Sequence, residues 1–177
     1  MNAGLDVLCL HLNSYLAQDQ VSAVRAAYFF AERAHGSQMR RDGTPYITHP
    51  LAVADILSQM HMDHQSLMAA MLHDVIEDTG ISKSELSKMF GEEVAILVAA
   101  VTNEPGENRK VRAALTYPKI RSTKGAVCLK LADRIANVEH GGKLVDMYKR
   151  EYEDFRRALY TKDEYENMWI HLDELMK

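Results

Sequence analysis

The sequence predicts an all-α protein: one domain built as a compact bundle of about eight to ten helices. Three observations carry that prediction. Apolar residues recur at three- and four-residue spacing along most of the chain. No stretch alternates apolar and polar residues for long enough to argue for a sheet. Glycine, proline and capping residues interrupt the pattern at intervals that suit helices.

Taken in order, residues 3–17 and 20–36 form two amphipathic helices. The second carries Val21, Val24, Ala27, Tyr28 and Ala31 on one face, and Gly36 ends it. Residues 37–48 are a loop marked by Asp42-Gly43 and Pro45. His49-Pro50 opens a helix to about Met60, with proline tolerated in the first turn. Asp63 caps the next helix, predicted to continue through Leu72 to about Asp78, where Thr79-Gly80 stops it. Ser82 and Glu85 have capping-box spacing and start a short helix to Phe90. Glu92 to Val101 is helical, and residues 102–109 form a polar loop around Pro105-Gly106. Residues 110–122 are ambiguous because Pro118 interrupts them. Lys124 to His140 is a strong helix ended by Gly141-Gly142. Lys143 to Tyr160 and Asp163 to Met176 complete the bundle.

The bulk numbers narrow the function. A chain of 177 residues buries a proper core without staples, and we expect residues 1–177 to form a single domain. The net charge of −4 argues against a nucleic-acid polymer as partner, but not against a small anion. Cys9 and Cys128 sit among apolar neighbours and are expected to be reduced core thiols. No apolar run approaches the ~18 residues of a membrane span. The N-terminus has no basic segment ahead of an apolar one. A soluble, intracellular protein with no membrane partner is expected.

The chemistry centres on Leu72-His73-Asp74-Val75-Ile76-Glu77-Asp78-Thr79. On one helix His73 and Glu77 lie a turn apart, as do Asp74 and Asp78. The apolar run Leu67-Met68-Ala69-Ala70-Met71 before them suggests that the patch faces inward. Carboxylates gathered away from water need a compensating positive charge. A divalent cation on His73 and Asp74 supplies it and leaves Glu77 and Asp78 free to handle protons. His49, and Asp133 in a largely apolar helix, are further ligand candidates; Asn137 projects one turn beyond Asp133. Two histidines and two aspartates suit Mn²⁺, Fe²⁺ or Zn²⁺ better than an all-oxygen Mg²⁺ or Ca²⁺ cage.

Three segments carry a resemblance: Arg40-Arg41-Asp42-Gly43-Thr44-Pro45-Tyr46-Ile47-Thr48-His49-Pro50, then His73-Asp74-Val75-Ile76-Glu77-Asp78-Thr79, then Lys130-Leu131-Ala132-Asp133-Arg134 with Asn137. Over about residues 20–140 the chain resembles the HD superfamily of metal-dependent phosphohydrolases. It is especially similar to the hydrolase domain of RelA/SpoT-homologue enzymes, including the stand-alone small alarmone hydrolases of metazoan type. The resemblance implies an HD-domain bundle that removes the 3′-diphosphate of guanosine tetra- or pentaphosphate. It implies a metal, usually Mn²⁺, held by His49, His73, Asp74 and Asp133. It implies that Glu77 and Asp78 activate or orient the attacking water. Arg40 and Arg41 match a basic pair that contacts substrate phosphates, with arginine where the family usually has lysine at the second position. Asn137 matches an asparagine of the nucleoside pocket. No synthetase domain is expected within residues 1–177.

Residues 102–112 depart from the family, and so does Val138-Glu139-His140-Gly141-Gly142 after Asn137. These regions would frame the base and ribose. Other substrates therefore stay open: an adenosine alarmone, the 2′-phosphate of NADPH, or a deoxynucleotide. A non-catalytic nucleotide-binding or toxin-neutralising module is a further alternative, opposed by the intact set of candidate ligands. Independently of the resemblance, residues 108–132 contain no acid but hold Arg109, Lys110, Arg112, Lys119, Arg121, Lys124 and Lys130. That run is either a solvated basic face or a rim that attracts phosphates. His11, His35, His61, His64 and His171 are expected to be surface or packing residues, and His140 is expected to be a residue of its helix C-terminus, with a place near the candidate site as the alternative.

Overall fold

Local capping chemistry places the helix boundaries. The Asp63 carboxylate accepts from the Ser66 amide at 2.8 Å, Ser82 and Glu85 complete a reciprocal box, and the Asn108 side chain accepts from the Val111 amide at 3.0 Å. Gly36, at φ 56°, returns its N–H to the Glu32 carbonyl and ends a helix. The computed structural model describes residues 3–177. Met1 and Asn2, part of the segment where no signal peptide is expected, lie outside the described residues.

Among the described residues there are eleven α-helices, one 3-10 turn and no strand. They are α1 (Ala3–Leu12), α2 (Gln18–His35), α3 (Thr48–Gln59), α4 (His64–Leu72), α5 (Val75–Thr79), α6 (Lys83–Phe90), α7 (Glu92–Val101) and α8 (Arg109–Ser122). After α9 (Ala126–Glu139) and the 3-10 turn Gly142–Leu144 come α10 (Val145–Leu159) and α11 (Glu166–Leu175). Among the described residues no helix is long and apolar enough to cross a membrane.

Helix α4 is the hub of the bundle. Its seven residues Ser66–Leu72 are all buried, and it packs on α2, α3 and α7, while α9 packs on α3 and α11. A helix covered on several sides must be apolar around its circumference, which is why this run lacks amphipathic spacing. Both cysteines are free and buried; burial pushes the Cys128 thiol up to about 12, so it is an inert core group.

The structure departs from the sequence-based expectations in three places. The helix expected from Asp63 to Asp78 is two, α4 and α5, with His73 and Asp74 in the turn between them. The His73 ring Nδ1 donates to the Ala70 carbonyl at 2.9 Å, taking up an acceptor that a continuing helix uses for its own ladder. Conversely, α8 runs unbroken through Pro118. Proline removes one backbone bond, but buried Thr116 and Ile120 on either side anchor the helix. Finally, α1 stops at Leu12 rather than residue 17.

Leu72, fully buried at the end of α4, should lose about 2–5 kcal/mol of stability on substitution by alanine. Leu10, which is 75% exposed on α1, should lose less than about 0.5 kcal/mol in the same substitution. Urea melts of the two variants measure the contrast; equal losses would mean that α4 is not the hub.

Candidate metal centre and substrate pocket

Three distant segments bring four candidate ligand side chains to one point. His49 enters from the first turn of α3, His73 and Asp74 from the α4–α5 turn, and Asp133 from α9. His49 Nε2 lies 3.1 Å from Asp133 Oδ1 and 3.8 Å from Asp74 Oδ2. His73 Nε2 lies 3.0 Å from Asp74 Oδ2 and 3.7 Å from Asp133 Oδ1. Side chains that bind one first-row ion at ~2.0–2.2 Å place their donor atoms roughly 3–4 Å apart. His49, His73 and Asp74 each offer an atom within 4.8 Å of the others.

The donor set fits a cation for a further reason. His73 Nε2 is buried and makes no hydrogen bond, although the Asp74 carboxylate is 3.0 Å away. Its Nδ1 is committed to the Ala70 carbonyl. That arrangement fixes the ring and turns Nε2 into the cluster, as a metal-ligating histidine requires. Burial disfavours a charged His73 ring, but the neighbouring Asp74 carboxylate outweighs burial and pushes its pKa from 6.5 up to about 9. In the metal-free protein a proton thus supplies the positive charge that two enclosed carboxylates demand. Burial also works against the Asp74 and Asp133 anions. For Asp74 the His73 ring, and for Asp133 Lys130 and His49, outweigh it and hold both carboxyls well below the usual range.

The carboxylates are oriented by groups around them. Asp133 accepts from Lys130 Nζ at 2.8 Å and Asn137 Nδ2 at 2.6 Å. Burial opposes the Lys130 charge, yet Asp133 raises its pKa overall. The Tyr46 hydroxyl donates to Asp74, and its ring lies 4.5 Å from that of His35. Burial and the Asp74 anion both push the Tyr46 phenol far above its ordinary range, so it stays a donor. His35 in turn contacts Gln38 at 2.9 Å, and Gln38 donates to Asp78 at 3.2 Å.

A cavity of about 640 Å³ opens onto this cluster. Every predicted site residue lines it except His73, which sits behind the wall at 2% exposure. The acidic patch does not face inward as a unit: Asp74 is partly buried, while Glu77 and Asp78 are exposed to the cavity. Gly141 shapes the far wall, because a Cβ there would lie 2.1 Å from the Asn137 carbonyl oxygen. His140 also lines the cavity.

The basic run divides in two. Arg109 pairs with Glu151 at 2.6 Å, Lys119 with Glu104 at 2.6 Å, Lys110 with Asp154 at 3.9 Å, and Arg121 donates to the Ala158 carbonyl. Most of the run is therefore a neutralised, solvated face joined to α10. Arg112 is different. Among the described residues Arg112, Arg40 and Arg41 line the cavity without a carboxylate at ion-pair distance.

Several cavity or supporting residues were not singled out from the sequence: Tyr46, Gln38, Asn103 and Glu151. Tyr46 had one usable signal, an aromatic three residues before a candidate ligand. Asn103 had none, because a polar residue in a polar loop is unremarked by pattern.

Comparison with known proteins adds to this geometry. The chain is 40% identical over 144 residues to the "Bifunctional (p)ppGpp synthase/hydrolase SpoT" of Escherichia coli K12, covering 75% of this chain and 20% of that protein. It is 42% identical over 120 residues to the "Guanosine-3′,5′-bis(diphosphate) 3′-pyrophosphohydrolase" of Aquifex aeolicus, covering 66% of this chain and 17% of that protein. The chain thus spans about a fifth of the length of these curated relatives. Among solved structures it is similar to a metazoan SpoT ortholog described as hydrolysing ppGpp, with a TM-score of 0.73 and 28% identity. That match covers 91% of this chain and 95% of the other. A protein of Listeria monocytogenes shares the fold at a TM-score of 0.62 and 24% identity. The HD domain pattern matches residues 27–162, spanning every side chain of the candidate centre, and the chain belongs to the HD domain family.

Proposed function

We propose that this protein is a metal-dependent phosphohydrolase that removes the 3′-diphosphate of guanosine tetra- or pentaphosphate, giving pyrophosphate and GDP or GTP. The observation that carries the reading is one cavity holding a cluster that could hold a cation, two exposed carboxylates and, among the described residues, three arginines without a carboxylate at ion-pair distance. Such a pocket is built for a polyanion whose phosphorus is attacked by water. The names of the relatives supply the guanosine alarmone as substrate class. HD domain membership implies a divalent metal. The mixed nitrogen and oxygen donors support Mn²⁺ among such ions, with Asp133 as fourth ligand beside His49, His73 and Asp74.

When bound, the cation supplies Lewis acidity, making water a better nucleophile and drawing charge from a phosphoryl oxygen. Glu77 and Asp78, exposed to the cavity, take the proton from the attacking water. The water oxygen joins the phosphorus nearest the ribose, the bond to the 3′ oxygen breaks, and that oxygen takes up a proton as pyrophosphate departs. Arg40 and Arg41 balance phosphate charge with no competing carboxylate. Tyr46 keeps Asp74 turned toward the cluster, and Asn137 both orients Asp133 and faces the cavity, where it lines the nucleoside site.

Three outcomes are expected. With Mn²⁺ and guanosine tetraphosphate, ion-exchange chromatography should resolve GDP and pyrophosphate; orthophosphate released from NADPH, with the alarmone untouched, would replace this substrate by another. Asp74→Ala should lose metal and turnover together, whereas Glu77→Ala should retain metal and lose turnover by roughly a hundredfold or more.

The third outcome concerns pH. The His73 pKa is raised, from 6.5 to about 9. Its contribution to the stability of the metal-free protein is therefore full below pH 6.5 and lost as pH rises through about 9. Metal binding must expel the same proton, so Mn²⁺ affinity should climb with pH across that window. Calorimetry in buffers of differing ionisation enthalpy measures the proton released; an affinity independent of pH would refute the assignment of His73 as a ligand.

A further inference from the structure

Glu77 does not hang free in the cavity. It belongs to α5, a helix of five residues, and its side chain is exposed. A glutamate in that position has several rotamers of similar energy, and fixing it carries an entropic cost. The chain nevertheless holds it at both oxygens. The Asn103 backbone N–H donates to Glu77 Oε2 at 3.1 Å. The Asn103 side-chain amide donates to Oε1 and to Oε2, both at 3.1 Å. One residue thus clamps the whole carboxylate from one side.

Asn103 is itself held from both directions. Its predecessor Thr102 closes α7, with its amide and its hydroxyl both donating to the Val98 carbonyl, at 3.0 and 2.8 Å. Its successor Glu104 is tied to α8. The Glu104 amide donates to Thr116 Oγ1 at 2.9 Å, and its carboxylate accepts from Lys119 Nζ at 2.6 Å. Thr116 is buried at 1% exposure, so this tie ends in the core. Residues 102–104 therefore bridge the end of α7, the Glu77 carboxylate and the middle of α8. Asp78, the other exposed carboxylate, accepts only one side-chain bond within the described residues, from Gln38 at 3.2 Å.

From this geometry we infer that Asn103 is a positioning residue for Glu77. It fixes the plane of the carboxylate and leaves lone pairs toward the cavity. An ionised carboxylate offers about four acceptor sites, so the Asn103 bonds orient the group without exhausting it. A general base gains rate from being held in reach of the proton it takes. Asn103 does this without touching the cation cluster. The inference rests on the reading of Glu77 as a proton-handling carboxylate.

The test is a double-mutant cycle on the full chain. Asn103→Ala deletes the side-chain donor and keeps the backbone N–H. It should lower kcat roughly tenfold, with KM within about twofold and with Mn²⁺ affinity and melting temperature unchanged. In the Glu77→Ala background the same substitution should change nothing further, because its partner is gone. A loss of similar size in both backgrounds, or an unchanged kcat in the single variant, would overturn the inference. If Glu77→Ala alone keeps full turnover, the reading of Glu77 falls instead, and the inference with it. A readout independent of turnover is the side-chain amide signal of Asn103 in a nitrogen–proton correlation spectrum of the metal-free protein. It should move in Glu77→Ala; an unmoved signal would mean that the clamp does not exist in solution.

Discussion

Two carboxylates enclosed beside two imidazoles dictate much of this structure. Asp133 is 7% exposed, His49 4% and His73 2%. Unpaired anions at that depth are unfavourable by several kcal/mol each. The chain meets the demand in layers. Lys130, one turn before Asp133, brings a permanent positive charge, and the imidazoles bring one that depends on protonation. Asn137 and Tyr46 bring neutral donors. A divalent cation in the cluster would replace the proton on His73 and leave the other partners in place. The metal-free and metal-bound proteins can therefore share one fold.

That demand also explains why the helices are where they are. A candidate ligand set drawn from α3, the α4–α5 turn and α9 needs three backbones to converge within a few ångströms. Packing α4 against α3, and α9 against α3, achieves this. The break after Leu72 is part of the same solution. A helix continued without interruption would keep His73 and Glu77 on one face, as the sequence pattern suggests. The turn instead separates them by environment. His73 is sealed behind the wall, and Glu77 stands in the cavity. One contiguous motif can then supply both a buried ligand and exposed proton acceptors, roles that require opposite degrees of hydration.

How much of this was legible depends on whether the information was local. The helices capped by Asp63 and Ser82–Glu85 obey short-range rules, and their starts follow from a few residues; the Asn108 cap obeys the same rule, but residues 110–122 stayed ambiguous in the sequence because of Pro118. The 73–74 break does not, because its cause is a side chain bonding to a carbonyl that pattern alone does not reveal. Pro118 misleads in the other direction: the helix around it is held by buried Thr116 and Ile120, which is tertiary information. The meeting of His49, His73, Asp74 and Asp133 was anticipated from motif order and resemblance rather than from spacing. Asn103 lay beyond either route. It belongs to a polar loop after α7, and its partner is 26 residues away.

The basic segment shows why charge counted along a sequence is a weak guide to a binding surface. Seven cations within residues 108–132 suggest a continuous positive rim. In the fold, Glu104, Glu151 and Asp154 neutralise Lys119, Arg109 and Lys110, and Lys130 is consumed by Asp133. What remains for a ligand is set by absence of partners: Arg112 on α8, with Arg40 and Arg41 on the loop before α3. The cavity is thereby polarised, with Asp74, Asp133 and His49 on one part of its lining and the uncompensated guanidinium groups of Arg40, Arg41 and Arg112 on another. An anionic substrate entering alone would be repelled by Asp74, Glu77 and Asp78. Arginines along the wall offset that repulsion, and a cation at the cluster reverses it. The same electrostatics that favour metal at the cluster therefore favour a phosphate ester being drawn in to its level, so that metal and substrate should stabilise each other's binding.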